Sequence, residues 1–213
     1  MAMLTDPLTA TDTGQPSAAA FARAYADRLI SLLNDLDETQ VAAAIDQIWA
    51  ARESGARIFL VGNGGSAATA SHFANDLTVG ACGGAKPFRA ISLVDNTALL
   101  TCLANDFGYP QVFVKQLETQ MTPGDVVVAL SASGNSENIL RAVEFANARG
   151  NATIAVVGFD GGRLLRIAGT AVHMRTALGE FGPAEDLHLI LDHVITGFLA
   201  KRCAAEAAAA ARP

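Results

Sequence analysis

Aromatic residues are scarce in this chain, making up 6% of it, and charged residues only 17%. The scarcity of charge, set against 51% hydrophobic residues, excludes a disordered acidic or basic chain and favours a folded soluble one. The scarcity of aromatics beside abundant alanine suits close helix packing in an α/β protein. Lysine and arginine together number 15 against 21 acids, a net charge of -6. No basic patch stands out, so nucleic acid is not expected as a direct ligand. Cys82, Cys102 and Cys203 form no CxxC pair and no metal spacing; an odd, scattered set suits reduced thiols in the cytosol. The N-terminus has no basic start followed by an apolar core, so no signal peptide is expected. No apolar run approaches the ~20 residues that a membrane helix needs. These absences predict a cytoplasmic protein with no membrane partner.

What is present is organised around Ile58–Leu77, IFLVGNGGSAATASHFANDL. The apolar run Ile58–Val61 is long enough for one buried strand, and a tight polar turn follows at Gly62–Ser66. An alanine-rich segment of high helix propensity comes next. Strand, glycine turn and helix in that order make an anion site, because free N–H groups at the helix start point at the ligand. The helix then carries His72 and Asp76 four residues apart, on one face.

In chain order, residues 1–16 are rich in Thr, Asp, Gly and Pro and are expected to fray. Helical spacing predicts one helix over Ser17–Asn34 and a second over Glu38–Ser54, closed by Gly55. Preceding any strand, the pair either forms a subunit interface or simply covers the sheet. Strands are expected at Arg57–Val61, Phe88–Leu93, Val126–Leu130, Thr153–Val157 and Ala171–Met174. Helices are expected at Ser66–Val79, Thr97–Ala104, Val112–Thr119 and Glu137–Arg149. Asn105–Gly108 reads as a turn. A last helix runs from Ala184 to about Glu206, followed by an alanine tail. At 213 residues the chain fits one domain, residues 17–213, with helices over 17–54 and an α/β core over 55–206. The alternation predicts a three-layer α/β sandwich around a five-stranded parallel, flavodoxin-like sheet with two added N-terminal helices.

Ligands of such sheets sit at the carboxyl ends of the strands. Two polar loops fall there, Gly62–Ser66 and Ser131–Ser136, and their hydroxyls and helix-start amides suit a phosphate. Either loop alone equally describes a serine-capped turn; two at one sheet edge favour a ligand. Gly62-x-Gly64-x-x-Ala67, with Asp95 beyond strand two, fits a loose dinucleotide fingerprint, but a second serine-rich loop does not belong to it. The last helix carries Glu185, Asp186, His188, Asp192 and His193. Glu185 and His193 lie two turns apart on nearly the same side, so they could complete an N/O metal set with His72 and Asp76. The plain alternative is a helix end exposing ordinary polar residues.

GNGGSAATASHFANDL from Gly62, NDFG from Asn105, LSASGNSENILRA from Leu130 and EDLHLILDH from Glu185 together resemble the sugar isomerase (SIS) fold, and within it the phosphoheptose isomerases. The resemblance covers roughly Asp37 to Lys201. It implies isomerisation of sedoheptulose 7-phosphate to D-glycero-D-manno-heptose 7-phosphate, for the nucleotide-heptose of lipopolysaccharide or capsule. It implies a homotetramer with one zinc ion per subunit. The sugar loop falls on Asn63, Gly64 and Gly65, the Asn-Asp pair on Asn105 and Asp106, and the phosphate loop on Ser131, Ala132, Ser133 and Ser136, with Ser66 nearby. The metal positions fall on His72, Asp76, Glu185 and His193, with Asp76 and Glu185 also facing substrate. The base and acid fall on Asp76 and His193. Three positions depart from the family pattern: Asp76 replaces a glutamate, Glu185 a glutamine, and Ala132 a threonine. An isomerase of another phosphosugar, and a non-catalytic SIS protein that binds a replication initiator, are the competing readings.

Overall fold

The computed structural model describes residues 17–81 and 86–211. The expected fraying of residues 1–16 and the thiol of Cys82 lie outside the described residues. Two helices come first. Helix α1 (Ala18–Asn34) is capped by the Ser17 hydroxyl, which accepts the Ala20 N–H. Helix α2 (Glu38–Ser54) begins where the Asp37 carboxylate accepts the Thr39 N–H at 2.9 Å. It ends at Gly55 in the left-handed region, φ +74°.

Strand β1 (Arg57–Val61) opens the alternation, followed by α3 (Gly65–Asn75), β2 (Arg89–Ser92), α4 (Thr97–Phe107) and α5 (Val112–Gln120). Then come β3 (Val126–Ser131), α6 (Glu137–Ala148), β4 (Ala152–Val157), the short α7 (Leu164–Ile167), β5 (Thr170–His173) and the long α8 (Phe181–Ala210). All strand pairs are parallel, in the order β2-β1-β3-β4-β5.

Strand periodicity divides the core. Ile58 and Leu60 of β1, with Val126, Val128 and Leu130 of β3, pack on one side with Ile48, Phe73 and Leu191 from α2, α3 and α8. Phe59, Val61, Val127 and Ala129 face the other side, against Phe113, Leu117, Leu140 and Val143 from α5 and α6. Alternate side chains of a strand point to opposite faces, so each central strand must be apolar throughout. The predicted three-layer parallel sandwich is the fold observed.

Four local details differ from expectation. Asn105–Phe107 is not a turn but the last turn of α4, closed by the Gly108 N–H on the Ala104 carbonyl. The helix predicted over Ser66–Val79 is regular only to Asn75. Residues Asp76–Gly80 then form a wider turn, in which the Ala81 N–H reaches the Asp76 carbonyl at 2.8 Å. Helix α8 starts three residues earlier than expected, because Pro183 is tolerated in a first turn. The alanine tail continues α8 to Ala210, as alanine's propensity favours. Cys102 is exposed on α4 and Cys203 buried on α8. Among the described residues, no helix is long and apolar enough to cross a membrane.

Candidate active site

Helices α3 and α8 lie side by side and run in the same direction, joined at three levels. At the top, the Glu185 carboxyl packs against Gly65 so closely that a Cβ there would come within 2.2 Å of it. Next, Ser66 Oγ stands 3.3 Å from His188 Nδ1. Below, His72 Nε2 stands 3.2 Å from His193 Nε2. This pairing brings the first loop and the two histidine-bearing segments into one strip.

At the upper end is a cavity of about 100 Å³ lined by Asn63, Ser66, Leu130, Ser131, Ala132, Ser133, Ser136, Phe181 and Glu185. The second loop is held in shape from within: Ser131 Oγ accepts the Gly134 N–H at 3.1 Å and Ser133 Oγ accepts the Asn135 N–H at 3.3 Å. Gly134 has φ +61°, and a Cβ there would meet the Gly161 carbonyl oxygen at 2.0 Å, so only glycine fits. Ser136 is the residue before α6, but its hydroxyl makes no capping bond. That hydroxyl and the first amides of α6 remain as neutral donors for an anion. Asn63 is tied down differently: its side-chain amide exchanges two 2.9 Å hydrogen bonds with that of Asn138, and its Oδ1 also accepts the Tyr109 hydroxyl at 2.8 Å. This knot locks the first loop to α6, beside the second.

At the lower end, His72, Asp76, Asp192 and His193 each offer a ligand atom, all within 4.8 Å of one another. Besides the 3.2 Å histidine pair, His72 Nε2 and Asp76 Oδ2 are 3.4 Å apart. Two donors on one tetrahedral zinc, each at 2.0–2.1 Å, would stand about 3.3 Å apart. Asp192 is fully buried, and neither of its carboxylate oxygens has a hydrogen-bond partner. A buried acid without a partner is costly, and a cation is the group that would satisfy it. The donor set therefore fits a divalent metal. Asp76 sits where α3 widens, an irregularity frequent at functional positions.

Burial, with the Asp76 carboxylate nearby, pushes the Asp192 carboxyl up to about 7. Burial alone pushes the His188 imidazole down to about 4. A bound cation would reverse the first effect and hold Asp192 ionised.

Of the metal positions implied by resemblance, His72, Asp76 and His193 meet, while Glu185 does not join them. Eight residues of helix separate Glu185 from His193, a rise of about 12 Å. Asp192 stands in the fourth place instead. The sequence held a signal for it: Ala184, Leu187, His188, Leu191, Asp192 and Ile195 form the buried stripe of α8, and an acid on such a stripe needs a partner. Asn138 likewise is a buried amide on an apolar helix face. Asn105 and Asp106 are exposed on α4, outside the cavity wall, with Asn105 Nδ2 donating to Asp106 Oδ1 at 2.8 Å. Gly64 ends the first loop with φ +55°. Asp95, the acid of the loose dinucleotide pattern, accepts a hydrogen bond from Ser71 of α3.

A parallel sheet with two polar loops at its carboxyl edge and a histidine–carboxylate strip beside them defines a class. The chain belongs to the SIS domain family, whose pattern it matches over residues 22–158. Within that class it is a member of the phosphoheptose isomerase family. It is 38% identical to the phosphoheptose isomerase of Mycobacterium tuberculosis over 166 residues, covering 78% of this chain and 84% of that one. It is 32% identical to that of Rhodospirillum rubrum over 180 residues, covering 84% and 94%. The phosphoheptose isomerase GmhA from Neisseria gonorrhoeae superposes with a TM-score of 0.78 at 28% identity, covering 87% of this chain and all of that one.

Proposed function

We propose that this protein converts sedoheptulose 7-phosphate into D-glycero-D-manno-heptose 7-phosphate, an aldose–ketose isomerisation through an enediolate. The observation that carries the reading is the strip along α3 and α8: a cavity lined by Ser66, Ser131, Ser133 and Ser136, with Glu185 in its wall, at one end and a histidine–carboxylate quartet at the other. The likeness to named phosphoheptose isomerases supports the substrate.

In this reading the second loop grips the phosphate through the Ser131, Ser133 and Ser136 region and the start of α6, lending binding energy to orient the rest of the chain. Gly64, Gly65 and Asn63 face the sugar. A carboxylate takes the proton from the carbon beside the carbonyl and returns it to the neighbouring carbon. Two carboxylates are available, Asp76 and Glu185, and His193 serves the carbonyl oxygen. His72, Asp76, Asp192 and His193 would hold a zinc ion, which when bound would supply positive charge beside the enediolate oxygens.

The reading extends to a cytoplasmic homotetramer that serves nucleotide-heptose synthesis. In support of assembly, α8 exposes Val194 and Phe198 beside an apolar groove lined also by Leu36, Val41 and Ile45 of the α1–α2 region. Asn105 and Asp106, exposed on this chain, would join a site only if subunits meet over α4.

The test is an assay against a panel of ketose phosphates of five, six and seven carbons, with and without chelator, followed by metal analysis. Isomerisation of sedoheptulose 7-phosphate, lost on chelation and restored by zinc, is expected. Preference for a shorter ketose phosphate would move the substrate assignment. Tetramers that isomerise none would point to a binding protein.

A further inference from the structure

Helix α8 carries two histidines, and only His193 joins the quartet. His188 is buried on the apolar stripe of the helix, with Leu187, Leu191 and Ile195. Its Nδ1 stands 3.3 Å from Ser66 Oγ, and its Nε2 is enclosed with no hydrogen-bond partner. Burial pushes the imidazole down to about 4, so the ring is neutral at neutral pH. A half-satisfied polar ring in such a stripe costs stability, so packing alone gives no reason for it.

Ser66 is its one polar contact. The serine is buried in the first turn of α3 and lines the cavity with Ser131, Ser133 and Ser136. Its backbone is held in place, because Gly62 folds over it so closely that a Cβ at position 62 would come within 2.3 Å of the Ser66 carbonyl oxygen. Rotation of the hydroxyl proton is then decided by the tautomer of His188. A neutral imidazole carries one N–H, and the bond made by one nitrogen fixes the state of the other. With the proton on Nε2, a buried N–H would lack an acceptor, and Nδ1 would draw the serine proton away from the cavity. With the proton on Nδ1, that N–H donates to Ser66 Oγ, and only a lone pair on the ring goes without a partner. An orphaned N–H is the rarer fault in protein interiors. The ring therefore donates, the serine oxygen accepts, and the serine O–H is left to turn towards the cavity.

From this contact we infer that His188 is a positioning residue for the phosphate site: as its Nδ1–H tautomer it holds Ser66 Oγ as an acceptor and so commits the serine hydroxyl to the anion as a donor. The inference rests on the reading of the cavity as the place of the substrate phosphate. His188 moves no proton and acts only through Ser66.

The experiment compares the zinc-loaded parent with Ser66→Ala, His188→Leu, His188→Asn and the double variant of Ser66→Ala with His188→Leu. Calorimetry measures the binding of inorganic phosphate, and initial rates give KM and kcat for sedoheptulose 7-phosphate. Long-range proton–nitrogen correlation spectra of the labelled parent report which nitrogen of His188 carries the proton, and the Nδ1–H form is expected. Ser66→Ala and His188→Leu should each weaken phosphate binding about 10-fold, the size of one hydrogen bond to an anion, and raise KM to match with kcat within about threefold. The double variant should bind no more weakly than Ser66→Ala, because both changes remove one and the same bond. His188→Asn sets an amide N–H near the place of Nδ1 and should bring phosphate binding back to within about threefold of the parent. The Nε2–H form would overturn the inference. So would losses that multiply to about 100-fold in the double variant, or phosphate bound at the parent's strength by His188→Leu. Equal falls in phosphate binding, zinc content and kcat in His188→Leu would overturn it as well, by making His188 a packing residue. A parent that binds phosphate but isomerises no ketose phosphate would bring down the isomerase reading alone, since the tautomer and phosphate binding are read without turnover.

Discussion

His72 Nε2 and His193 Nε2 stand 3.2 Å apart, although 121 residues separate them in the chain. The pairing exists because α3 and α8 pack in the same direction, so that equal steps along each helix keep facing residues together. Two imidazoles this close, with Asp76 Oδ2 at 3.4 Å from the first, are spaced as ligands of a common cation.

Removing either imidazole should therefore remove the metal. His193→Ala and His72→Ala are expected to bind zinc at least about 10-fold more weakly, and turnover should fall about 100-fold or more. Zinc titration by competition with a chromogenic chelator measures the first effect. Unchanged affinity in both variants would disprove the quartet.

The metal-free chain should show two opposed pH effects on stability. Between about pH 4 and the ordinary 6.5, His188 binds a proton only when unfolded, so its contribution makes stability rise with pH. Between the ordinary 3.8 and about 7, Asp192 holds a proton only when folded, so its contribution makes stability fall as pH rises. Over pH 4.5–6.5 the two slopes oppose each other. Asp192→Asn leaves the His188 slope exposed, at most about 1.4 kcal/mol per pH unit and upward with pH. His188→Gln should show the reverse. Urea unfolding of metal-stripped protein at several pH values measures the slopes. A slope for Asp192→Asn equal to that of the parent would contradict this account.

Gly65→Ala places a methyl group where the Glu185 carboxyl now sits, at 2.2–2.5 Å from its atoms. A flexible carboxylate can swing away, so the fold should survive with a stability change within about 1 kcal/mol. Turnover, however, should drop about 10-fold or more, because the displaced carboxylate leaves the cavity. Thermal unfolding and initial rates on the same preparation separate the two effects. Full activity in the alanine variant would mean that the placement of Glu185 does not matter.

Helix α1 holds the start of α8 through two polar clasps. The Tyr25 hydroxyl donates to Asp186 Oδ2 at 2.5 Å, and Arg28 makes a two-point pair with Glu180 at 2.8 and 3.1 Å. Burial and the Asp186 carboxylate hold the Tyr25 hydroxyl protonated well above the ordinary tyrosine range. Tyr25→Phe should cost about 1 kcal/mol of stability. It should also weaken turnover more than zinc binding, because Glu185 adjoins the lost contact while the quartet lies two turns below. Equal losses in both would argue against α1 as a support for the upper end of the strip.

Much of this was legible in the residues. The run Ile58–Val61, the Asp37 and Gly55 signals around α2, and the regular alternation of strands with helical segments determine the layered parallel sheet, because burial on both faces demands apolar runs and caps demand particular side chains. The motif order also marks the two loops and the histidines. Tertiary structure decided which acid stands where. Spacing along α8 places Glu185 and His193 on nearly one side, yet the Glu185 carboxyl packs against Gly65 while His193 stands in the quartet. Asp192 reaches the quartet because α3 packs against the buried stripe of α8 that carries it. Helical phase can be counted from a sequence; the face that a neighbouring helix covers, and the height at which it meets, cannot. That contact separates the metal's carboxylates from the one beside the loops.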